Sequence, residues 1–544
     1  MMGLMQDHPL LISSLLRHAE RYHADSEIVS KAIEGGIHRT TYGEMGRRAA
    51  QLAHAMTRLG LKQGECVGTI AWNSYRHMEL YYGISGMGAI LNTINPRLFP
   101  EQLSYIINHA ECRYLFVDLT FVPLLEKLEP ELKQVKAVVI MTDKLHMPES
   151  SLSRTVCYEE LIAPEETHFD WPTLDENTAS SLCYTSGTTG HPKGVLYSHR
   201  STILHAYGLS TKDAMNIGRR DSVLPIVPMF HVNAWGTPYA GALTGAKLVF
   251  PGDDMGGANI LSLLEKEGCT LALGVPTVWL ALIQHVRKQG REDLSSLPIQ
   301  SFVVGGSAAP QSMIRDLEKI FGATVNQAWG MTEMSPLGTV NRLLPKHDHL
   351  DEEEKMALKL KQGRPVFGVE MKIVDDEGRE LPHDGKSFGR LMVRGPWITK
   401  SYYKQEDKTI LDDDGYFDTG DVSTLDADGY MNIVDRSKDV IKSGGEWISS
   451  IDLENIAMGH PDIAEAAVIG LPHPKWQERP LLICVAARDP APEAEEILSY
   501  MESRVAKWWL PDEVVFIEKM PHTATGKVLK TALREMFKGK TLGE

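Results

Sequence analysis

Patterns typical of helices and of strands alternate along the first four-fifths of the chain. A helix that ends near Gly60 is predicted by apolar residues at helical spacing, namely Met45, Leu52, Ala53, Met56 and Leu59. Short apolar runs typical of buried strands follow at 66–72, 113–117, 137–141, 247–250 and 301–304. Such alternation predicts an α/β fold in which helices cover parallel sheets.

The pattern changes after about residue 365. Turn signals at 374–378, 412–415 and 427–429 separate short β-like runs, which predicts a small antiparallel region. Beyond a charged stretch at 435–439, the last hundred residues predict helices at 450–458 and 492–507 and strands at 466–469 and 481–487. We therefore expect a large N-terminal domain of stacked, mostly parallel sheets with helices and a small β region, residues 1–437. A small α+β C-terminal domain, residues 438–544, would begin at Lys438.

Composition narrows the class of protein. A chain of 544 residues exceeds one ordinary domain, and a net charge of −16 argues against a general nucleic-acid binder. The six cysteines are scattered, with no C-x-x-C pair, as in a protein with reduced thiols. The first residues do not read as a secretion signal, and no run approaches the roughly 20 apolar residues of a membrane span. These features predict a cytoplasmic protein with no integral membrane segment.

The segment 184–194, Tyr-Thr-Ser-Gly-Thr-Thr-Gly-His-Pro-Lys-Gly, carries the strongest chemical signal. Glycines let backbone N–H groups turn toward an anion, hydroxyls add donors, and a lysine adds positive charge. The segment differs from the G-x-x-x-x-G-K-[ST] P-loop because Pro192 stands at the second glycine. The predicted phosphate-binding residues are Thr185, Ser186, Gly187, Thr188, Thr189, Gly190 and Lys193.

This segment resembles the signature loop of the adenylate-forming superfamily, which includes acyl-CoA synthetases, peptide-synthetase adenylation domains and beetle luciferases. Further motifs follow in family order, so the resemblance covers residues 40 to 530. It implies that ATP and a carboxylic acid give an acyl adenylate and pyrophosphate, and that CoA then gives the thioester and AMP. ATP, Mg²⁺ and coenzyme A are the implied cofactors and co-substrates. Relatives are often dimers, so a homodimer is left open.

The resemblance assigns the nucleotide site residue by residue. Trp329 would stack on adenine where Tyr is commoner, Thr332 would bond the α-phosphate, and Glu333 would hold Mg²⁺ together with Thr188. Asp421 and Arg436 would bind the ribose. The implied ATP site is completed by Gly306, Ser307, Ala308, Ala309 and Pro310 after one strand, and by Ala328, Gly330 and Met331 around Trp329.

The resemblance also assigns roles to the C-terminal domain. Lys527, after Thr-Gly, matches the lysine that bridges the carboxylate, the α-phosphate and the ribose during adenylation. The domain would then rotate about Lys438, so that CoA can enter. The implied CoA-binding face consists of Ser443, Gly444, Gly445, Glu446 and Trp447, although a plain Gly-Gly hairpin turn would have the same sequence.

The acid is predicted to be aliphatic. No charged residue lies in 228–236, the segment that resembles the border of the acyl pocket, so a charged tail is disfavoured. The predicted acyl-binding residues are His231, which would also orient the carboxylate in catalysis, and Val232, Trp235, Gly305 and Gly330. His231 and Trp235 equally suit a buried histidine and a core tryptophan.

Runs at 92–98 and 473–480 resemble bacterial medium- and long-chain fatty-acyl-CoA ligases. Within that branch the N-terminal third resembles ligases for 3-methylthiopropionate, so the acid is expected to be short to medium in length. Two other classes stay open. A stand-alone adenylation module would serve a carrier protein instead of free CoA, and a nucleotide sensor would bind ATP without releasing pyrophosphate.

Overall fold

The computed structural model describes residues 1–185, 191–443, 446–522 and 528–543, and of Glu446 and Trp447 it describes the backbone alone. It confirms the α/β class, with two large sheets in the N-terminal part, a small antiparallel sheet and a β-rich C-terminal part. Among the helices in the described ranges, none has both the length and the apolar character that crossing a bilayer requires.

Two sheets form the body of the N-terminal part. The first is parallel except for its last pair, and its strands in spatial order are Thr155–Cys157, Ala137–Ile140, Cys112–Val117, Cys66–Ile70, Ile90–Thr93, Ala179–Tyr184 and Gly194–Ser198. The second has a parallel centre and antiparallel edges, and its strands are Arg364–Pro365, Leu337–Val340, Thr324–Gly330, Ser301–Val304, Leu271–Gly274, Ser222–Pro225, Lys247–Phe250, Glu27–Lys31 and Ile37–Thr41.

Helices lie between the two sheets and on their outer faces. The middle layer is Ile12–Tyr22, Tyr42–Arg58, Tyr75–Gly86, Tyr158–Ile162, His199–Ser210 and Thr237–Thr244, which share one core with both sheets. The outer helices are Pro100–His109 and Val122–Leu128 on the first sheet and Gly257–Glu267, Pro276–Lys288 and Gln311–Phe321 on the second, while Glu352–Lys359 packs near the second sheet's edge. Every residue of Tyr75–Gly86 is buried, which explains why this helix lacks a polar face.

Two smaller sheets follow. The antiparallel region predicted after residue 365 is the sheet Glu370–Val374, Phe388–Arg394, Phe417–Leu425 and Met431–Arg436. The C-terminal sheet contains Glu446–Ile448, Ile441–Ser443, Gln477–Ala486, Ile463–His473 and Glu513–Phe516. Helices Ser450–Ala457, Ala494–Glu502 and Lys530–Met536 pack against it.

Two predictions for the C-terminal part need correction. Its central strands are longer than the runs 466–469 and 481–487, because they form a hairpin whose register continues to the pair His473 and Gln477. The helix predicted over 492–507 ends at Glu502. The chain beyond it is held differently, since Arg479 donates to the carbonyl oxygens of Trp508 and Leu510 at 2.6 and 2.9 Å.

Candidate active site

The segment predicted to bind phosphate joins two antiparallel strands. Its flanking strands pair antiparallel up to Tyr184 and Gly194. Two hydrogen bonds close the base of the loop, from Thr185 N to Lys193 O at 2.9 Å and from Lys193 N to Thr185 Oγ1 at 3.2 Å. The predicted contacts of Ser186, Gly187, Thr188, Thr189 and Gly190 lie outside the described residues. The described part therefore places the exposed Lys193 where the loop rejoins the sheet.

The motif around Thr332 and Glu333 follows the strand Thr324–Gly330 as one 3₁₀ turn, Thr332–Met334. Both side chains belong to buried residues, with 8% and 7% exposure. The hydroxyl of Tyr197 donates to Thr332 O at 2.6 Å, and Met331 N donates to Pro336 O at 3.1 Å. Thr332 and Glu333 are thus anchored through their backbone, beside the strand that leaves the phosphate loop.

Glycine is required before this turn. A Cβ atom at Gly330 would overlap the carbonyl oxygen of Pro336. The exposed Gly330 and the half-buried Ala328 and Met331 lie around the buried Trp329. Glycine therefore lets the backbone of Pro336 lie directly against the strand at this position.

Glu333 is linked to the phosphate loop by a residue that the motifs did not reveal. The hydroxyl of Tyr402 donates to Glu333 Oε1 at 2.9 Å. The ammonium of Lys193 lies 4.6 Å from the centre of the Tyr402 ring. Nothing in the sequence around Tyr402 distinguished it from Tyr403, because its partners are far away along the chain.

Asp421 and Arg436, the predicted ribose-binding residues, contact each other. Asp421 is 2% exposed, and its Oδ1 receives Arg436 Nε at 2.8 Å. Its Oδ2 receives the indole N–H of Trp329 at 3.0 Å. Trp329, where Tyr is commoner in the family, thus donates to the carboxylate of Asp421, a contact across 92 positions that the sequence did not predict.

The predicted adenine-facing turn, Gly305–Pro310, joins the strand Ser301–Val304 to the helix Gln311–Phe321. Gly306 has a φ of +85°, Ser307 is exposed, and Ala308 and Pro310 are half-buried. Ala309 is buried, and its N–H donates to Gln327 Oε1 at 3.2 Å. The turn is therefore tied to the strand that carries Trp329.

The segment 228–236, which is predicted to border the acyl pocket, has a backbone conformation that its residue types did not predict. Val232, Asn233, Ala234 and Trp235 all have positive φ values between 46° and 55°, and Gly236 follows at 80°. A left-handed conformation costs about 1–2 kcal/mol for each residue with a side chain. Surrounding contacts must hold this turn in place.

Asn233 supplies two of those contacts. Its Nδ2 donates to Ser181 Oγ at 3.2 Å, and its Oδ1 accepts from Cys183 Sγ at 3.6 Å. Both partners are on the strand that leads into the phosphate loop. Asn233 is itself 4% exposed. This role was not predicted, although asparagine tolerates positive φ better than most residues.

The left-handed turn brings two predicted acyl-binding residues together. The indole of Trp235 is 8% exposed, and its Cη2 lies 2.7 Å from the position that a Cβ at Gly305 would occupy. Only glycine leaves room for the ring there. Val232 is buried, and His231 is half-buried at the start of the turn. Trp235 therefore covers the end of the strand that leads to the adenine-facing turn.

The exposed Lys438 lies between two segments that contact each other. Asp435 is 1% exposed, and its Oδ2 accepts from Ser450 N at 2.8 Å. Ser449 donates to Val434 O at 2.6 Å. Burial raises the pKa of Asp435, although the nearby Lys530 opposes the shift. The last strand before Lys438 thus contacts the first helix after it.

The predicted CoA-binding face lies on a hairpin. Strands Ile441–Ser443 and Glu446–Ile448 pair antiparallel, and Ser443 Oγ lies 3.3 Å from Arg479 Nη1. Gly444 and Gly445, the side chains of Glu446 and Trp447, and Lys527 all lie outside the described residues. For them the expectations from the sequence stay predictions.

Two protein-family models match the chain. The family model described as AMP-binding enzyme matches residues 15–403, and the model of the AMP-binding enzyme C-terminal domain matches residues 452–527. The chain belongs to the AMP-binding enzyme family. Family relatives include a 3-methylmercaptopropionyl-CoA ligase of Ruegeria lacuscaerulensis, 53% identical over 100% of both chains.

A second relative and a solved structure also resemble the chain. A medium-chain-fatty-acid–CoA ligase of Ectopseudomonas oleovorans is 49% identical, over 99% of this chain and 98% of the relative. The crystal structure of the anthranilate CoA ligase AuaEII in complex with anthranoyl-AMP superposes with a TM-score of 0.85. It is 26% identical and covers 98% of this chain and 99% of its own.

These matches confirm the predicted class of enzyme. The protein is an ATP-dependent, AMP-forming acid–CoA ligase that uses ATP, Mg²⁺ and coenzyme A. A carboxylic acid is its third reactant.

Proposed function

We propose that this acyl-CoA ligase activates a short aliphatic acid, with 3-methylthiopropionate as the preferred substrate. The observation that carries the proposal is the 53% identity, over the full length of both chains, to a 3-methylmercaptopropionyl-CoA ligase. The predicted border of the acyl pocket supports it in two ways. The segment 228–236 contains no Lys, Arg, Asp or Glu, and the Trp235 indole fills space beside Gly305.

A medium-chain fatty acid is the second candidate, favoured by the 49% identity to the medium-chain ligase. A panel of straight-chain acids from acetate to palmitate, with 3-methylthiopropionate, separates the two when AMP formation that depends on CoA is measured. The proposal requires the highest kcat/KM for 3-methylthiopropionate. A maximum at eight or more carbons would assign the protein to the second class.

The residue roles follow from what each reaction step needs. A carboxylate oxygen of the acid attacks the α-phosphorus of ATP, and the bond to the bridging oxygen breaks to release pyrophosphate. Two anions approach each other, so fixed positive charge must face them. Lys193 and Lys527 would supply it, while Thr332 would donate to the α-phosphate. Asp421, oriented by two donors, would accept the ribose hydroxyls.

The second step needs access for a thiol. The sulfur of CoA attacks the carbonyl carbon of the acyl adenylate, and AMP leaves with the bonding electrons. His231 would orient the acid's carboxylate in the first step and border the acyl carbon in the second. We infer that Ser443 and the residues up to Trp447 line the path of the CoA arm.

The carboxylate of Glu333 fits Mg²⁺. Its oxygens are hard ligands of the kind that this ion prefers, and the residue is buried. The described ranges contain no group of three or more His, Cys, Asp or Glu residues suited to a metal. That fits an ion which arrives with ATP, since Mg²⁺ is usually held by one or two carboxylates together with phosphates. Glu333, with Thr188 as its predicted companion, would hold it, and it would neutralise charge on the triphosphate.

Glu333→Gln should raise the Mg²⁺ concentration for half-maximal pyrophosphate release by about tenfold, since an amide oxygen is a weaker ligand than a carboxylate. The thermal unfolding midpoint should stay close to that of the unchanged enzyme. Glu353→Gln is the control, because that side chain is exposed and paired with Arg315 on the surface. Identical Mg²⁺ titrations for both variants would remove Glu333 from the metal site.

We also propose that the chain divides at Lys438, into domains 1–437 and 438–544, and that the C-terminal domain turns about this residue between the two steps. Support comes from the separate sheets on either side of it. The hydrogen bonds between Asp435 and Ser450 and between Val434 and Ser449 cross this point, so a large rotation would break or rearrange them.

Lys438→Pro should leave acyl-adenylate formation nearly unchanged and lower thioester formation by about tenfold or more. Proline fixes φ near −65° and restricts the preceding residue, which hinders a large backbone rotation. Lys438→Ala serves as the control, since it removes the same side chain and leaves the backbone free to turn. Equal thioester rates for the proline and alanine variants would place the pivot elsewhere.

We infer a cytoplasmic location. All six cysteines are free thiols and buried, a usage more typical of a reducing compartment than of an oxidising one.

A further inference from the structure

Tyr402 makes contact with two residues to which the proposed mechanism gives separate tasks. Its hydroxyl donates to the carboxylate of Glu333, and its ring faces the ammonium of Lys193. In that mechanism Glu333 would hold the metal ion and Lys193 would bind phosphate. One side chain thus contacts both the metal-facing and the phosphate-facing parts of the nucleotide site.

The backbone around Tyr402 is attached to the same two parts. Thr399 N donates to Glu333 O at 2.8 Å, and Tyr403 N donates to Gly194 O at 2.8 Å. The Tyr402 ring packs against a buried cluster that contains Val195. The segment 399–403 therefore holds Tyr402 at a fixed distance from both the Glu333 turn and the end of the phosphate loop.

The chemistry of a phenol suits this place. A hydrogen bond to one carboxylate oxygen orients the whole carboxylate and leaves its negative charge in place, whereas a lysine would cancel that charge. A tyrosine hydroxyl is protonated at neutral pH and can donate this hydrogen bond. The ring's negative face can hold an ammonium weakly enough to release it to phosphate.

We propose that Tyr402 is a positioning residue for the nucleotide, which orients Glu333 toward the metal ion and holds Lys193 ready for the phosphates. The inference rests on the proposed roles of Glu333 and Lys193. Tyr402 belongs to a third segment of the chain. Without this residue, Glu333 and Lys193 would lose their fixed spacing.

Three variants separate the two contacts. Tyr402→Phe keeps the ring for Lys193 and removes the hydroxyl that Glu333 accepts. Tyr402→Leu removes both contacts. Tyr403→Phe is the matched control, because it deletes the same atom from the neighbouring tyrosine, whose ring lies edge-on to His109. Each variant is the full chain, and its thermal unfolding midpoint is recorded first.

The readout is binding without turnover. Mn²⁺ is titrated into the protein with α,β-methylene-ATP, which cannot form an acyl adenylate, and free Mn²⁺ is measured by electron paramagnetic resonance. We expect Tyr402→Phe to weaken Mn²⁺ binding in this complex by about tenfold, the effect of losing a hydrogen bond to a charged group. Its affinity for the analogue at saturating Mn²⁺ should change less than twofold. Tyr402→Leu should weaken the analogue's affinity as well, by about three- to fivefold.

Glu333→Gln and the double variant Tyr402→Phe/Glu333→Gln complete the test. If Tyr402 acts through Glu333, the double variant binds Mn²⁺ no more weakly than Glu333→Gln alone. Unchanged Mn²⁺ binding in Glu333→Gln would overturn the metal assignment and this inference together. A weakened Glu333→Gln beside an unchanged Tyr402→Phe, or additive losses in the double variant, would overturn the inference about Tyr402 alone.

Discussion

Lys527→Ala should lower the rate of acyl-adenylate formation by about 10²–10³-fold, the loss expected when a charge that acts chiefly in the transition state is removed. Thioester formation from a supplied acyl adenylate should fall far less, because the lysine has no proposed part in that step. Pyrophosphate release reports the first half-reaction, and acyl-CoA measured by mass spectrometry reports the second.

Lys519→Ala is the control for this experiment. That lysine is exposed and lies eight positions earlier in the same predicted domain. Its loss should leave both half-reactions at their original rates. If Lys527→Ala slows the two half-reactions equally, the lysine does not serve adenylation alone, and its assignment to that step is wrong.

Trp235→Ala should change which acid the enzyme prefers. The indole lies against Gly305, so its removal opens space at the end of that strand and takes contacts from a small substrate. A loss of about 1–3 kcal/mol of contact corresponds to a 10- to 200-fold fall in selectivity for the short acid. Longer acids should gain relative to 3-methylthiopropionate and butyrate across the acid panel.

A second pair of variants, Trp235→Phe and Trp279→Phe, controls for lost core packing. Both make the same replacement, but Trp279 lies away from the predicted acyl pocket. Trp279 is fully buried in the core on the outer face of the second sheet, together with Phe302. Its replacement should lower the unfolding midpoint without reordering the acids. If all rates fall together in the Trp235 variants and the order of acids is kept, Trp235 supports the fold and does not select the substrate.

The sequence predicted the parts of this structure that depend on local patterns. The strands Lys247–Phe250 and Ser301–Val304 and the helix Tyr42–Arg58 follow from apolar spacing, since burial on one or both faces dictates which residues are tolerated. The glycine-rich loops could be recognised from the sequence because few segments other than ligand-binding turns combine so many glycines and hydroxyl residues.

The undetected features depend on contacts between distant segments. Tyr402 reaches Glu333 across 69 positions, and Trp329 reaches Asp421 across 92. Neither pair leaves a periodic signal in the chain. The left-handed turn at Val232 to Trp235 was not predicted for another reason. Positive φ is usually recognised in a sequence by glycine, but here valine and alanine occupy such positions. Tertiary contacts, such as those of Asn233, override the local preference there.

The contact between Trp235 and Gly305 also bears on how such enzymes diverge. A lineage cannot enlarge residue 305 while the indole remains, since even a methyl group there would approach the ring at 2.7 Å. Shrinking residue 235 alone leaves a void, and filling that void from residue 305 restores packing with a differently shaped pocket. The two positions should therefore covary among descendants that change their acid, with a side chain larger than glycine at residue 305 only where residue 235 is small. Mutant libraries that vary both codons at once would reach substrates that neither single-site library can.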